Sequence, residues 1–109
     1  MAWRLALVLI VLVLASPASA HWRPGPHNAL HAIDSAFGRY RWQARSVAWC
    51  ESRWKPWAAN GQYRGIFQMG VEERRAYGHG RDPWRQARAA YRYFKAAGSN
   101  WSPWECKPH

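Results

Sequence analysis

Glu51 is the residue whose surroundings best suit proton chemistry. It lies in Trp49-Cys50-Glu51-Ser52-Arg53-Trp54. About seventeen residues later the glycine-flanked turn Gly65-Ile66-Phe67-Gln68-Met69-Gly70 delivers an amide, Gln68. A general acid must keep its proton near neutral pH, and burial against apolar rings does this by disfavouring the charged form. Trp49, Trp54 and Trp57 are close enough in sequence to form such a wall. A lone acid among rings, with an amide nearby, has what protonation of a glycosidic oxygen requires. The plainer reading is a solvated glutamate at a helix end. There, however, a carboxylate opposes the helix dipole.

A hydrolase that works with two carboxylates needs a second acid. The others are Asp34, Glu72, Glu73, Asp82 and Glu105. Asp82 reads as a helix cap, and Glu72 and Glu73 as dipole partners at a helix start. Asp34 falls in a helix and Glu105 beside a cysteine, so none has a context like that of Glu51. A single-acid mechanism is therefore expected. Gln68 needs a partner in its apolar turn, either a sugar group or the backbone. Tyr63 and Trp54 line a groove or fill the core. His27 and His31 are four apart but lack a third ligand, so an ordinary surface pair is expected and no metal or other cofactor. His21 would be N-terminal after cleavage, and copper capture there has no other support. Arg74, Arg75, Arg81, Arg85, Arg88 and Arg92 read as a solvated basic face.

Residues 1–20 have the pattern of a secretory signal. Arg4 precedes an apolar run from Leu5 to Leu14, Pro17 breaks it, and Ala18-Ser19-Ala20 is a cleavage pattern. The run is too short for a bilayer of roughly 30 Å, which argues against an uncleaved anchor. A secreted, extracellular or wall-associated domain over residues 21–109 is expected, with no stable membrane insertion. A monomer is also expected. Such a domain has a modest core and often carries a covalent staple. Cys50 and Cys106 are the two cysteines, and an exported chain with an even count reads as one disulfide. Closing that loop contributes roughly 4 kcal/mol on the chain-entropy view, and the bridge should also hold Trp101 and Trp104 near Glu51, where they shield it from water and help raise its pKa. The net charge of +10 seeks anionic partners. Export sets nucleic acid aside and leaves anionic wall polymers or lipid. Of nine tryptophans, eight remain in residues 21–109 once Trp3 is lost, too many for one small core, so some rings should be exposed.

These residues must be positioned by short helices. Leu30, Ile33 and Phe37 recur at helical spacing between Asn28 and Gly38. Residues Arg41 to Ser52 form a second helix that Pro56 ends, which puts Glu51 in its last turn. Lys55 to Gly70 is a loop with a small hairpin turning at Asn60-Gly61. A short helix runs from Val71 to Tyr77. Asp82-Pro83 starts another, which reaches Ala97 before Gly98. The tail after Trp101 is irregular. About four helices make the fold mainly α.

The segment WCESRWKPWAANGQYRGIFQMG resembles the active-site region of the lysozyme-like lytic transglycosylases, nearest to the branch with the resuscitation-promoting factors. Cys50-Glu51-Ser52 matches the end of that family's catalytic helix. Gly65-Ile66-Phe67-Gln68 matches its glutamine turn, approached through Asn60-Gly61 and Tyr63. The tail NWSPWECKP is similar to the family's Trp-rich ending, whose cysteine pairs with the one before the acid. The likeness spans roughly Ala44 to Pro108. It implies a lysozyme-like α+β fold with a groove for peptidoglycan glycan strands. Glu51 is then general acid and base, and Gln68, Tyr63, Trp54 and Ser52 are substrate contacts. Trp54 and Trp57 stand where the resuscitation factors are richer in glycine. Two other activities stay open: muramidase hydrolysis, and catalytically silent binding of wall or membrane by a cationic, Trp-rich surface.

Overall fold

The computed structural model describes residues 26–109. The expected signal at 1–20, and His21, lie outside the described residues. Four α-helices and one two-stranded hairpin follow in order. Helix α1 spans Pro26–Phe37. It begins two residues before the expected Asn28, because a proline at the first helical position needs no N–H partner. Its buried face is Ala29, Ala32, Ile33 and Phe37, while Leu30 is only half-buried. A tight 3₁₀ turn at Gly38–Tyr40 leads into α2, Arg41–Ser52. Ala44, Val47, Ala48 and Ser52 form its inner stripe.

Helix α2 stops three residues earlier than Pro56 requires. Arg53 and Trp54 both take the left-handed conformation, at φ 57° and 63°. Neither is glycine, and each such residue costs on the order of 1–2 kcal/mol. Local contacts hold them there. The Arg53 N–H donates to the Trp49 carbonyl at 2.9 Å. The Trp54 indole donates to the Arg45 carbonyl at 2.9 Å and meets the Trp49 ring at 4.7 Å.

The hairpin pairs β1, Ala59–Asn60, with β2, Tyr63–Arg64, antiparallel. Asn60 faces Tyr63 across the pair. The two-residue connection is therefore Gly61-Gln62, one residue later than the expected Asn60-Gly61. After β2 the chain makes a second tight turn. Arg64 and Met69 exchange backbone hydrogen bonds at 3.1 Å each. Ile66 and Phe67, between them, are fully buried, so this apolar turn is driven into the core. Helix α3, Val71–Tyr77, and helix α4, Pro83–Ala96, complete the fold. The Asp82 carboxylate caps α4 by accepting the Arg85 N–H at 3.0 Å.

The tail after α4 has no regular structure but is deeply packed. Trp101 stacks on Phe37 and Phe94, with ring centroids 5.4 and 4.5 Å away. Its indole donates to Gln43 at 2.8 Å. Trp104 donates to the Phe67 carbonyl at 2.9 Å. The Cys50–Cys106 disulfide is formed and spans 56 residues. The fold is thus a small, mainly helical domain with one disulfide. Among the described residues four tryptophans, 42, 49, 57 and 84, are exposed, and Trp42 is the most open of them at 63%.

Gln86 was not singled out in the sequence, yet it ties four segments together. It is 2% exposed. Its Oε1 accepts the Ile66 N–H at 2.8 Å. Its Nε2 donates to the carbonyls of Pro56, Gly80 and Arg81 at 3.0–3.1 Å. Gly65 lies against it: a Cβ there would sit 2.6 Å from Gln86 Oε1, and its φ of 85° also favours glycine. Gln86→Leu keeps the bulk and strands the Ile66 N–H and Pro56 carbonyl. Urea unfolding of that variant should show a loss of at least about 2 kcal/mol. A loss under about 0.5 kcal/mol, the low end for one net hydrogen bond, would show that the amide is not a tie.

Candidate active site

Glu51 sits in the last turn of α2 and opens into a groove of about 310 Å³. Asn60, Tyr63, Gln68, Pro103, Trp104 and Glu105 line the rest of it. Each arrives by a separate local rule. Strand alternation gives Asn60 and its cross-strand partner Tyr63 a common face. The second turn presents Gln68, which is held at φ 47°. The disulfide draws the tail over the end of α2 and so brings residues 103–105 to the acid.

The Glu51 carboxyl is half-buried, and the Cys106 backbone N–H donates to its Oε2 at 3.2 Å. Burial is the leading influence and raises its pKa above the ordinary 4.5. The Cys106 N–H opposes this, the Glu105 carboxylate adds to it, and Lys107 opposes it. The net result favours the protonated acid. One carboxyl oxygen is fixed by the backbone, which sets the direction of the group.

Trp104 supplies the apolar wall, at 4% exposure. The three tryptophans expected in that role lie elsewhere. Trp49 and Trp54 pack on each other and border a shallow hollow with Arg45 and Ser46. Trp57 borders a different cavity. Helical rotation of about 200° over two residues sets Trp49 on another side of α2, and the left-handed pair at 53–54 turns the following chain away from the acid, so nearness in sequence does not become nearness in space.

Of the expected substrate contacts, Gln68 and Tyr63 share the groove with Glu51. Gln68 is also a structural amide: its Nε2 donates to the Gly65 and Ala58 carbonyls at 3.0 and 3.2 Å. That fixes the side chain, and among the described residues Oε1 has no protein donor. It can accept from a ligand N–H or O–H. Tyr63 is 45% exposed and offers a ring face and a hydroxyl. Trp54 and Ser52 do not line the groove. Ser52 is buried, and its hydroxyl is occupied by the Ile66 carbonyl at 2.7 Å and the Ala48 carbonyl at 3.2 Å. It ties α2 to the glutamine turn.

Of the two tryptophans expected beside the acid once the disulfide forms, Trp104 lines the groove and Trp101 does not, while Glu105 and Asn60 were not expected as groove residues. A signal for Glu105 existed. Residues that flank the two halves of a disulfide become neighbours, and Glu51 and Glu105 each adjoin one cysteine. The remaining acids are engaged as their positions suggest. Asp34 pairs with Arg45, Asp82 caps α4, and Glu72 and Glu73 lie in the first turn of α3. His27 and His31 touch through Nε2 at 3.3 Å. Among the described residues no group of three His, Cys, Asp or Glu is placed to hold a metal ion, and no helix is long and apolar enough to cross a membrane.

A raised folded pKa means that the folded protein holds this proton more tightly than the unfolded chain. Glu51's contribution to stability is then full below its unfolded value and is lost as pH rises through the higher folded value. Glu51→Gln cannot ionise and avoids that loss. Thermal melts should move apart in the variant's favour as pH rises above the ordinary glutamate value, and the gap should level off once the folded protein's Glu51 is ionised. A constant gap would mean that ionising Glu51 costs the fold nothing.

Compared with protein-family models, curated proteins and solved structures, the chain finds no match.

Proposed function

We propose that this protein is a secreted glycosidase of the bacterial cell wall, a lytic transglycosylase with a lysozyme-like fold that cuts peptidoglycan glycan. The observation that carries the reading is Glu51: a half-buried carboxyl with a raised pKa, held by one backbone N–H, in a groove with Tyr63 and Gln68. The resemblance of Cys50-Glu51-Ser52 and Gly65-Ile66-Phe67-Gln68 to the transglycosylase motifs supports it. Protonated Glu51 gives its proton to the oxygen between N-acetylmuramic acid and N-acetylglucosamine. The C1–O bond breaks as the muramic C6 hydroxyl closes on C1, forming a 1,6-anhydro ring. The carboxylate then takes the hydroxyl proton, and the acid is restored. Gln68 Oε1 accepts from a sugar N–H, and the Tyr63 ring lies along the strand.

One observation favours a second reading, muramidase hydrolysis. Glu105 is exposed and lines the same groove as Glu51. An ionised carboxylate there can take a proton from an attacking water. Glu51 would still protonate the leaving oxygen, and the product would carry a reducing end.

Mass spectrometry of digested wall separates these. Anhydro ends are expected, and Glu105→Gln should leave their yield within about threefold, far less than the loss of a general base would cost. Reducing ends that disappear in Glu105→Gln would establish hydrolysis instead. In either chemistry Glu51→Gln should lower cleavage at least about a hundredfold. Full lytic effect in Glu51→Gln would mean that the protein acts as a cationic binder and not as an enzyme.

A further inference from the structure

A cavity of about 710 Å³ lies away from Glu51. The hairpin divides it from the acid's groove: Tyr63 lines one, and Arg64, the next residue in the strand, lines the other. Gly65, His79 and Gln86 form part of its lining, and Pro56, Trp57 and Ala58 form an apolar side. Arg64, Arg74 and Arg81 also line it.

These three cations lack carboxylate partners. The ion pairs among the described residues are Arg45 with Asp34 and Arg85 with Asp82. Arg64 uses Nη1 on the Gly61 carbonyl. Arg74 uses Nη1 on the carbonyls of Gln62 and Met69. Their remaining N–H groups, and the whole Arg81 head, have no protein acceptor among the described residues. Like charges that share one concave space repel, and they do so more strongly where water is partly excluded. His79 adds no charge near neutral pH, because burial and Arg74 bring its pKa down to about 4.

We propose that this cavity binds a short acidic peptide carrying two or more free carboxylates, such as the peptide attached to a wall glycan. Arginine matches carboxylate with paired N–H donors. The volume falls within the range of about 300–1,000 Å³ usual for ligand sites. A bare phosphate would use only the arginines and leave the apolar side uncovered. A peptide lays its carbon chain against Trp57, which is 53% exposed, while its carboxylates reach Arg64, Arg74 and Arg81. The natural source of the peptide rests on the cell-wall reading above; the site itself does not.

Calorimetric titration of the full mature protein tests this without any cleavage. The probes are N-acetylated Ala-Glu-diaminopimelate, the same peptide with every carboxylate amidated, and inorganic phosphate. The free acid should bind, and the amidated peptide and phosphate should bind at least about tenfold more weakly, as loss of charge-assisted pairs requires. Arg81→Gln and Arg64→Gln should each weaken the acid peptide about fivefold or more, on the order of one charge-assisted bond. Arg88→Gln makes the same charge change beside Trp84, away from this cavity, and should alter binding less than about twofold, as a remote screened charge does. Absence of binding overturns the proposal. So do equal losses in Arg88→Gln and Arg81→Gln, or phosphate binding as well as the peptide. Cleavage of peptide-free glycan is measured in parallel. If wild type fails to cleave yet binds the peptide through these arginines, the enzyme reading falls and the site stands.

Discussion

The buried amide of Gln86 is the constraint on which both cavities depend. Three segments with little regular structure of their own meet at it: Pro56 before the hairpin, Ile66 after it, and Gly80-Arg81 before α4. A hairpin of two residues per strand is not stable alone in water. Here one side chain on α4, the longest helix among the described residues, holds both of its flanks. Helix α4 is well specified locally, with an Asp82 cap, Pro83 at its first position and fourteen residues. It can therefore serve as the fixed frame. Gly65 follows from the same contact, since any side chain would collide with the amide.

A second constraint acts at the acid. The Cys50–Cys106 bridge fastens the tail one residue from Glu51, and the Cys106 N–H then meets the carboxylate. The tail is also anchored by Trp104, whose indole is bonded to the Phe67 carbonyl in the turn that presents Gln68. The wall, the acid and the amide are thus coupled through one short stretch of chain. That stretch both buries Glu51, which favours the proton, and gives it an N–H, which favours the charge. Burial prevails. The stability that the site loses on ionisation is the same free energy that keeps a proton available.

Local rules made much of this legible. The α2 and α3 boundaries, the Asp82 cap and the start of α4 follow from caps, prolines and glycines near the residues they control. The paired cysteines gave the disulfide. What sequence could not supply is direction in space. Trp49, Trp54 and Trp57 surround Glu51 in the chain but not in the fold: two residues of helical rotation, about 200°, set Trp49 on another side of α2, and Arg53 and Trp54 adopt backbone angles that no pattern of side chains announces and that lead the following chain away. Trp104, more than fifty residues away, takes their place. Gln86 looked like one more polar residue of an amphipathic helix, because its partners lie up to thirty residues off. Ser52 shares the acid's helix turn yet points inward, which one residue of helical rotation, about 100°, suffices to do.

The hairpin gives the molecule two faces of opposite character from very little sequence. Alternation sends Tyr63 toward a carboxyl and Arg64 toward a cluster of guanidiniums. With sixteen Lys and Arg against six acids, most cations have no partner within the chain, so their placement matters more than their number. Several lie along α2, where Arg41 and Arg45 flank the Trp42 ring at 5.4 and 4.6 Å and Arg53 covers Trp49 at 5.0 Å. Those rings shield exposed apolar surface with charge, and each contact is worth about 0.5–1 kcal/mol at such sites. The three arginines behind the hairpin are different. They border a concavity, two of them are fixed by backbone carbonyls, and Trp57 beside them has no cation over its ring among the described residues. Charge held in place around a partly apolar concavity is an arrangement that binding an anion relaxes.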